Sequence, residues 1–285
     1  MDLSIIIVSY RSRDVLLSCL SKIAESAPGL EYQVVVVDNA SGDGTGEALA
    51  RLHPEVRLIQ NLENVGFATA VNQGLNSTSS EFAMLLNPDC ELHPGCARRL
   101  VDYLRSHPRC GLVAPRLLYP DGSLQYSVRT YPDQYTLLFN RYSLLTYLLP
   151  SNRWSRRYLM SDWDHASVRD VDWVTGACMV ARREAVNQVG GMDEAFFMFN
   201  EDVDWCRRFN QAGWLVTYLP DAVCVHHVGA SGRRTTTRVI LERHRGMVYY
   251  FHKHHPMPPP ISWGVDLYLM ARGWIMVFQN WLRRP

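Results

Sequence analysis

Several things are scarce or missing in this sequence of 285 residues, and each absence excludes a class of protein. No C-x-x-C pair occurs among its seven cysteines, an odd number, so neither a zinc ribbon nor a disulfide framework is expected. A reducing, cytoplasmic setting follows as the expectation. Charge of one sign is not in excess, with 29 basic against 28 acidic residues. A general nucleic-acid binder needs a positive face, so no nucleic-acid partner is expected. The opening "MDLSIIIVSY" has an acid at position 2 and only a short apolar run, and it reads as a core strand, not a signal peptide. The Trp- and Leu-rich tail from Ile261 to Pro285 is interrupted by Asp266, Arg272 and Gln279, which counts against a spanning helix. Finally, no G-x-G-x-x-G follows the first strand. Gly42, Gly44 and Gly46 are spaced G-x-G-x-G after the second, which argues against a nucleotide-dependent oxidoreductase.

What is present is a rhythm. Apolar runs at Leu3–Val8, Val34–Val37, Val56–Ile59, Phe82–Leu86 and Gly111–Ala114 alternate with helical spacing over 14–24, 46–52, 68–75 and 94–104. Strands apolar at nearly every position are buried on both faces, as in a parallel sheet covered by helices. The expectation is an α/β fold with right-handed crossovers. Ligands of such sheets bind beyond the carboxyl ends of the strands. The residues there are Ser9, Tyr10 and Arg11 after the first strand, Asp38 to Ser41 after the second, and Asn87 to Asp89 after the fourth.

Each candidate has a functional and a bland interpretation. Asp38 can accept hydrogen bonds from a base or a ribose, or can cap the next helix through an Asx-type turn. Gly66 allows close approach of backbone to a ligand, with Asn72 further along the following helix. Asp89 and Glu91 are alternate residues that point the same way in an extended segment, as a pair of oxygen ligands for Mg2+ or Mn2+ would. A lone Asn-Pro-Asp is also an ordinary turn. In "DEAFFMFNEDVDWCRRFNQAG", Glu194, Glu201, Asp202 and Asp204 lie beside aromatics. One can be a general base, and one can simply stabilise a helix start. Val203, Cys206 and Phe209 share a face of that helix, with Gly213 as its stop. His226 and His227 follow another strand-like run and can ligate metal or touch phosphate. Between 135 and 150 lies an aromatic, leucine-rich stretch suited to a membrane, a greasy substrate or core packing. The tail suits an interfacial helix or packing on the domain.

In order along the chain, "SIIIVSYRS", "VVVVDNASGDGT", "NVGFATAVNQG", "LLNPDCEL", "GACMVARREA", "GGMDEAFFMFNEDVDWCRR" and "HHVGAS" make residues 3–232 resemble the family 2 glycosyltransferases, nearest their rhamnosyltransferase-like branch. That resemblance implies a GT-A fold over 1–232. Residues 1–118 would hold a nucleoside-diphosphate sugar and 119–232 the acceptor, with 233–285 a helical extension. It implies inverting transfer by single displacement, with a dTDP-sugar or UDP-sugar as donor and dTDP-rhamnose the specific expectation. The acceptor expected is a glycan or polyprenyl-linked hydroxyl, reached from the inner membrane surface. Asp202, beside Glu201, matches the catalytic base. Asp38 matches a base or ribose contact, among donor contacts expected from Ser9, Tyr10, Arg11, Ser41, Gly66, Asn72 and Asn87. Asp89 matches the last acid of the D-x-D metal motif, whose first acid is Asn87 here, and His226 matches the histidine near the metal or diphosphate. A binding module without catalysis would keep the pocket and lose the Glu201–Asp202 pair, which is present.

Overall fold

The computed structural model describes residues 1–138, 148–149, 152–227 and 236–282. The strands are β1 (Leu3–Ser9), β2 (Tyr32–Asp38), β3 (Arg57–Gln60), β4 (Phe82–Leu86), β5 (Cys90–Leu92), β6 (Cys110–Leu118), β7 (Leu124–Gln125), β8 (Val128–Arg129), β9 (Arg169–Asp170), β10 (Trp173–Val174), β11 (Cys178–Arg182) and β12 (Leu215–His226). The helices are α1 (Arg13–Ser26), α2 (Thr45–Leu52), α3 (Phe67–Asn76), α4 (Cys96–Ser106), α5 (Gln134–Leu138), α6 (Arg153–Leu159), α7 (Arg183–Val189), α8 (Glu201–Gln211), α9 (Thr237–His254) and α10 (Pro259–Leu282). Most of the 135–150 stretch, and the end of the "HHVGAS" motif, lie outside the described residues.

The main sheet runs β3-β2-β1-β4-β11-β6-β12-β5. β1 is parallel to β2 and β4, and β2 to β3, so the exits of β1, β2 and β4 share one edge, as the alternating rhythm predicts. The sheet is not parallel throughout. β11 enters antiparallel between β4 and β6, and β5 is antiparallel to β12. A five-residue strand reached after a long excursion leaves no βαβ signature in the sequence, so only the fold reveals it.

Alternation along the strands explains the two-sided core. Ile6 and Val8 of β1, Val35 and Val37 of β2, and Ala83 and Leu85 of β4 face a layer formed by α3, α8 and α9. Their neighbours Ile5, Ile7, Val34, Val36, Met84 and Leu86 face α1 and α4. Burying a large aliphatic side chain contributes about 1.5–3 kcal/mol, so both faces bind their helices firmly. α8 buries Val203, Cys206 and Phe209 together, and Gly213 stops the chain at φ 88°, a left-handed conformation that suits glycine.

The C-terminal helices are part of the packing. α9 buries Ile240, His244, Tyr250 and Phe251. A side chain at Gly246 would come within 2.9 Å of the Phe199 carbonyl, so α9 rests directly on the segment leading into α8. α10 packs on α9 through Leu269 and Gly273 and leaves most of its apolar residues in solvent. Among the described residues no helix is long and apolar enough to cross a membrane.

Candidate active site

The loops after β1 and β2 are tied together. Ser41 Oγ donates to Asp38 Oδ1, and Arg11 N donates to Ser41 Oγ at 2.9 Å. Asp38 is therefore a buried acid in a turn with Ser41, at the sheet edge where a nucleotide binds in such folds. It does not cap α2. Asp43 serves there, accepting from Thr45 N and Arg13 N. Ser9 is fully buried, with Oγ 3.0 Å from Ser12 Oγ, so its side chain stabilises the loop from inside. Tyr10 is exposed, with the Arg11 guanidinium over its ring.

Two expected donor contacts have partners within the protein. Gly66 adopts φ 92°, and a Cβ there would meet the Phe197 carbonyl at 2.7 Å. The close approach that needs glycine is thus to Phe197, whose carbonyl accepts from Phe67 N at 2.7 Å. Asn72 donates to Met192 O and Glu194 Oε1 and accepts from Met192 N, fastening α3 to the turn before α8. Asn39 connects the same region, accepting from Asn61 Nδ2 and Val65 N while donating to Gly66 O.

On the metal side, Asp89 and Glu91 do not act as a pair. Asp89 Oδ1 lies 3.4 Å from His226 Nε2, while Glu91 lies 3.4 Å from His227 and accepts from Ser18. The β5 segment hydrogen-bonds to β12, which directs the two acids to different histidines. His226 Nδ1 lies 3.1 Å from Gln125 Oε1. The other ring nitrogen, Nε2, faces Asp89. Asp89, Cys90 and His226 bring an oxygen, a sulfur and a nitrogen within 4.8 Å of one another. These donors fit a divalent cation.

The carboxylate of Asp202 is fixed by backbone. Asp202 Oδ2 accepts from Gly176 N at 3.0 Å and Oδ1 from Val203 N at 2.9 Å. Burial pushes its pKa above the usual carboxylate range, against the opposing pull of those N–H groups and of the Arg129 guanidinium. Arg129 itself stacks over Trp173 and Tyr158 at 5.2 and 5.7 Å. Neighbouring Glu201 is buried, its Oε2 has no hydrogen-bond partner among the described residues, and burial with the charge of Asp202 pushes its carboxyl well up. The two residues before Asp202's turn, Phe199 and Asn200, both adopt φ 70°. Left-handed backbone in non-glycine residues costs about 1–2 kcal/mol each, and the α9 packing described above holds it.

One short segment connects both halves. Gly176 N holds Asp202, while the adjacent Ala177 O accepts from Asn87 N at 2.8 Å and from Cys90 Sγ at 3.3 Å. The entry to β11 therefore sets Asp202 and the Asn87–Cys90 turn relative to one another. Gly176, Gln125, Arg129 and Cys90 were not singled out from the sequence. "YPDGS" marks only a turn, and nothing local says that the next residues fold over His226 and Asp202.

Comparison with known proteins agrees with this geometry. Residues 4–163 match the family description "Glycosyl transferase family 2". An N-acetylglucosaminyl-diphospho-decaprenol L-rhamnosyltransferase of Mycobacterium tuberculosis is 32% identical over 264 residues, covering 88% of this chain and 85% of the relative. The low-salt glycan biosynthesis hexosyltransferase Agl10 of Haloferax volcanii is 29% identical over 73% of this chain and 61% of its own. Among solved structures, the mannosyltransferase PcManGT from Pyrobaculum calidifontis in complex with GDP-Man and Mn2+ aligns with TM-score 0.59 at 20% identity, over 99% of this chain and 76% of that one. S. aureus TarS in complex with UDP-GlcNAc aligns with TM-score 0.56 at 15% identity, over 98% and 74%. The structural likenesses establish the GT-A fold, and the sequence matches establish the family. This chain belongs to glycosyl transferase family 2 and is a nucleotide-sugar-dependent glycosyltransferase.

Proposed function

We propose that this enzyme transfers rhamnose from dTDP-rhamnose to a hydroxyl of a polyprenyl-diphosphate-linked glycan, with inversion, using Asp202 as base and a divalent cation held by Asp89 and His226. The carrying observation is the Gly176–Ala177 bridge, which ties Asp202 and the Asn87–Cys90 turn to one rigid strand entry. The rhamnosyl donor and lipid-linked acceptor are supported by the mycobacterial relative, an N-acetylglucosaminyl-diphospho-decaprenol L-rhamnosyltransferase. A cation bound at Asp89 and His226 would neutralise the diphosphate leaving group, and the Mn2+ in PcManGT supports the choice of Mn2+ or Mg2+.

The chain's own residues carry the rest. The acceptor O–H gives its proton to an Asp202 oxygen as the acceptor oxygen bonds to the anomeric carbon. The bond from that carbon to the diphosphate oxygen breaks, and the diphosphate leaves from the opposite face. A carboxylate whose pKa burial has raised is a stronger base, and two backbone N–H groups fix its direction. Arg129 opposes that rise. Asp38, turned in with Ser41, is assigned to the nucleoside, with Arg11 and Asn87 bordering the same edge.

Asp202→Asn is expected to abolish transfer to acceptor while leaving nucleotide binding within about twofold. The measurement is sugar transfer beside titration with dTDP. Full activity in that variant would sink the base assignment.

Membrane contact belongs to the same proposal. Trp263, Leu267, Trp274, Phe278 and Trp281 recur at helical spacing along α10 and are all exposed, from 57% to 73%. We assign this stripe to the interfacial zone of the bilayer that carries the acceptor, where Trp is favoured.

A further inference from the structure

Two half-buried arginines show what a structural guanidinium does in this fold. Arg208 donates from Nε to Asp204, from Nη1 to Val189 O and from Nη2 to Gly191 O. Arg183 donates from the same three atoms to Ser80 O, Leu75 O and Thr78 Oγ1. Arg129, half-buried like them, is different. Its Nε is buried with no hydrogen-bond partner among the described residues, and its Nη2 meets Tyr126 O at a long 3.5 Å. A buried donor left unsatisfied is destabilising and calls for another explanation.

Its position supplies one. Arg129 is the cross-strand partner of Trp173 in the β8–β10 pair. Three residues beyond Trp173, Gly176 N holds Asp202, so the arginine stands in the wall beside that carboxylate, and its charge acts on both Asp202 and Tyr158. Stacking over Trp173 and Tyr158 fixes the plane of the guanidinium, which suits bidentate binding of phosphate oxygens. Tyr158 continues into a recess that Thr130, Asp133, Tyr135, Trp154 and Arg157 also line. Asp133 is engaged there by Thr136, through N and Oγ1, and Arg157 brings a second cation. Tyr135 and Trp154 stack with ring centres 5.9 Å apart. Tyr268 Oη donates to Leu137 O at 3.0 Å, so α5, which carries Tyr135, adjoins α10.

We propose that Arg129 and Arg157 bind the diphosphate of the acceptor, between the sugar held at Asp202 and a lipid chain that passes Tyr135 and Trp154 toward α10. The proposal rests on the lipid-linked acceptor assigned above and adds the residues that recognise its anionic group. The cation at Asp89 and His226 serves the donor's diphosphate, so the acceptor's diphosphate needs positive charge of its own.

The test uses the full chain saturated with dTDP, which fills the donor site, and geranyl diphosphate as probe in calorimetric titration. Arg129→Gln and Arg157→Gln are each expected to weaken the probe by at least about tenfold, as loss of a charged hydrogen bond does, and Arg157→Lys is expected to recover part of the loss. Binding of dTDP reports folding, and if Arg129→Gln does not fold, Arg157→Gln decides. In transfer assays, the ratio of kcat/KM for a sugar on an alkyl diphosphate to that for the same sugar as a plain alkyl glycoside should fall at least about tenfold in Arg157→Gln. Flotation of that variant with phosphatidylglycerol vesicles should not change. A wild-type chain that does not bind geranyl diphosphate, unweakened binding in the folded variants, or lost flotation with the probe still bound overturns the inference. The proposed reaction fails separately: if the probe behaves as expected and no rhamnose reaches either acceptor, the reaction falls and the anion subsite stands.

Discussion

Asp204 offers the sharpest quantitative test of how the site is held. It lies in the first turn of α8, two residues past Asp202, and its side chain is 0% exposed. Oδ2 meets Arg208 Nε at 2.8 Å, and Oδ1 meets Lys253 Nζ at 2.8 Å and His254 Nε2 at 2.7 Å. Two of the three partners come from α9, so this carboxylate pins α9 to α8. Burial acts to raise its pKa, but hydrogen bonds from His254, Lys253 and Arg208 outweigh it and hold the carboxyl at about 2, against an ordinary 3.8. At about 1.36 kcal/mol per pH unit, that depression is roughly 2.4 kcal/mol of folding free energy. A depressed carboxyl contributes stability above its unfolded pKa and loses it as pH falls through the folded value. The contribution is therefore whole above about pH 4 and gone below about pH 2. Asp204→Asn also leaves Arg208 and Lys253 without their buried partner, and breaking a buried pair costs about 3–5 kcal/mol in general. We expect the variant to be about 2–4 kcal/mol less stable near pH 7 in urea unfolding, with the deficit shrinking as both proteins are taken from about pH 4 toward 2. A deficit below about 1 kcal/mol, or one that does not change over that range, refutes the reasoning.

Three further outcomes follow from the same site. Glu201→Gln should stabilise the fold by about 1–3 kcal/mol near pH 7, because burial and the charge of Asp202 oppose ionisation of this carboxyl and its Oε2 has no hydrogen-bond partner among the described residues, while slowing transfer. A raised carboxyl contributes stability below its unfolded pKa and loses it as pH rises through the folded one, so the gain should vanish near pH 4. Thermal unfolding at both pH values checks this, and equal melting temperatures at pH 7 would count against it. Gly66→Ala should cost about 1–3 kcal/mol from backbone strain and push the Phe197 carbonyl away, lowering activity as well; unchanged stability would show that the loop yields freely. Trp274→Glu with Trp281→Glu should abolish flotation with liposomes and leave transfer to a water-soluble acceptor intact. Undiminished flotation removes α10 from the interface.

Where local chemistry set the outcome, the chain was readable in advance. The five parallel-running strands among the first 118 residues, and the helices between them, fall within a few residues of their expected positions, because period and β-branching act locally. Of the residues that the motifs pick out, the structure brings Asp89 and His226 together. Glu91 was misleading. Alternate residues point alike only in an undistorted strand, and here the pairing of β5 with β12 gives each acid its own histidine. Asn72 and Gly66 look like ligand contacts because asparagine and glycine are common there, yet their partners are Met192 and Phe197, more than a hundred residues away.

The sequence by itself determined the α/β rhythm, the strand exits that carry the acids, and the family. Those depend on side-chain periodicity and on short motifs, each complete within a few residues. Only the tertiary structure decided that β11 enters antiparallel in mid-sheet, that Gly176 and Ala177 join Asp202 to the Asn87–Cys90 turn, and that Cys90 stands across from His226. Strand register and helix docking are agreements between distant segments, and no single segment encodes them alone.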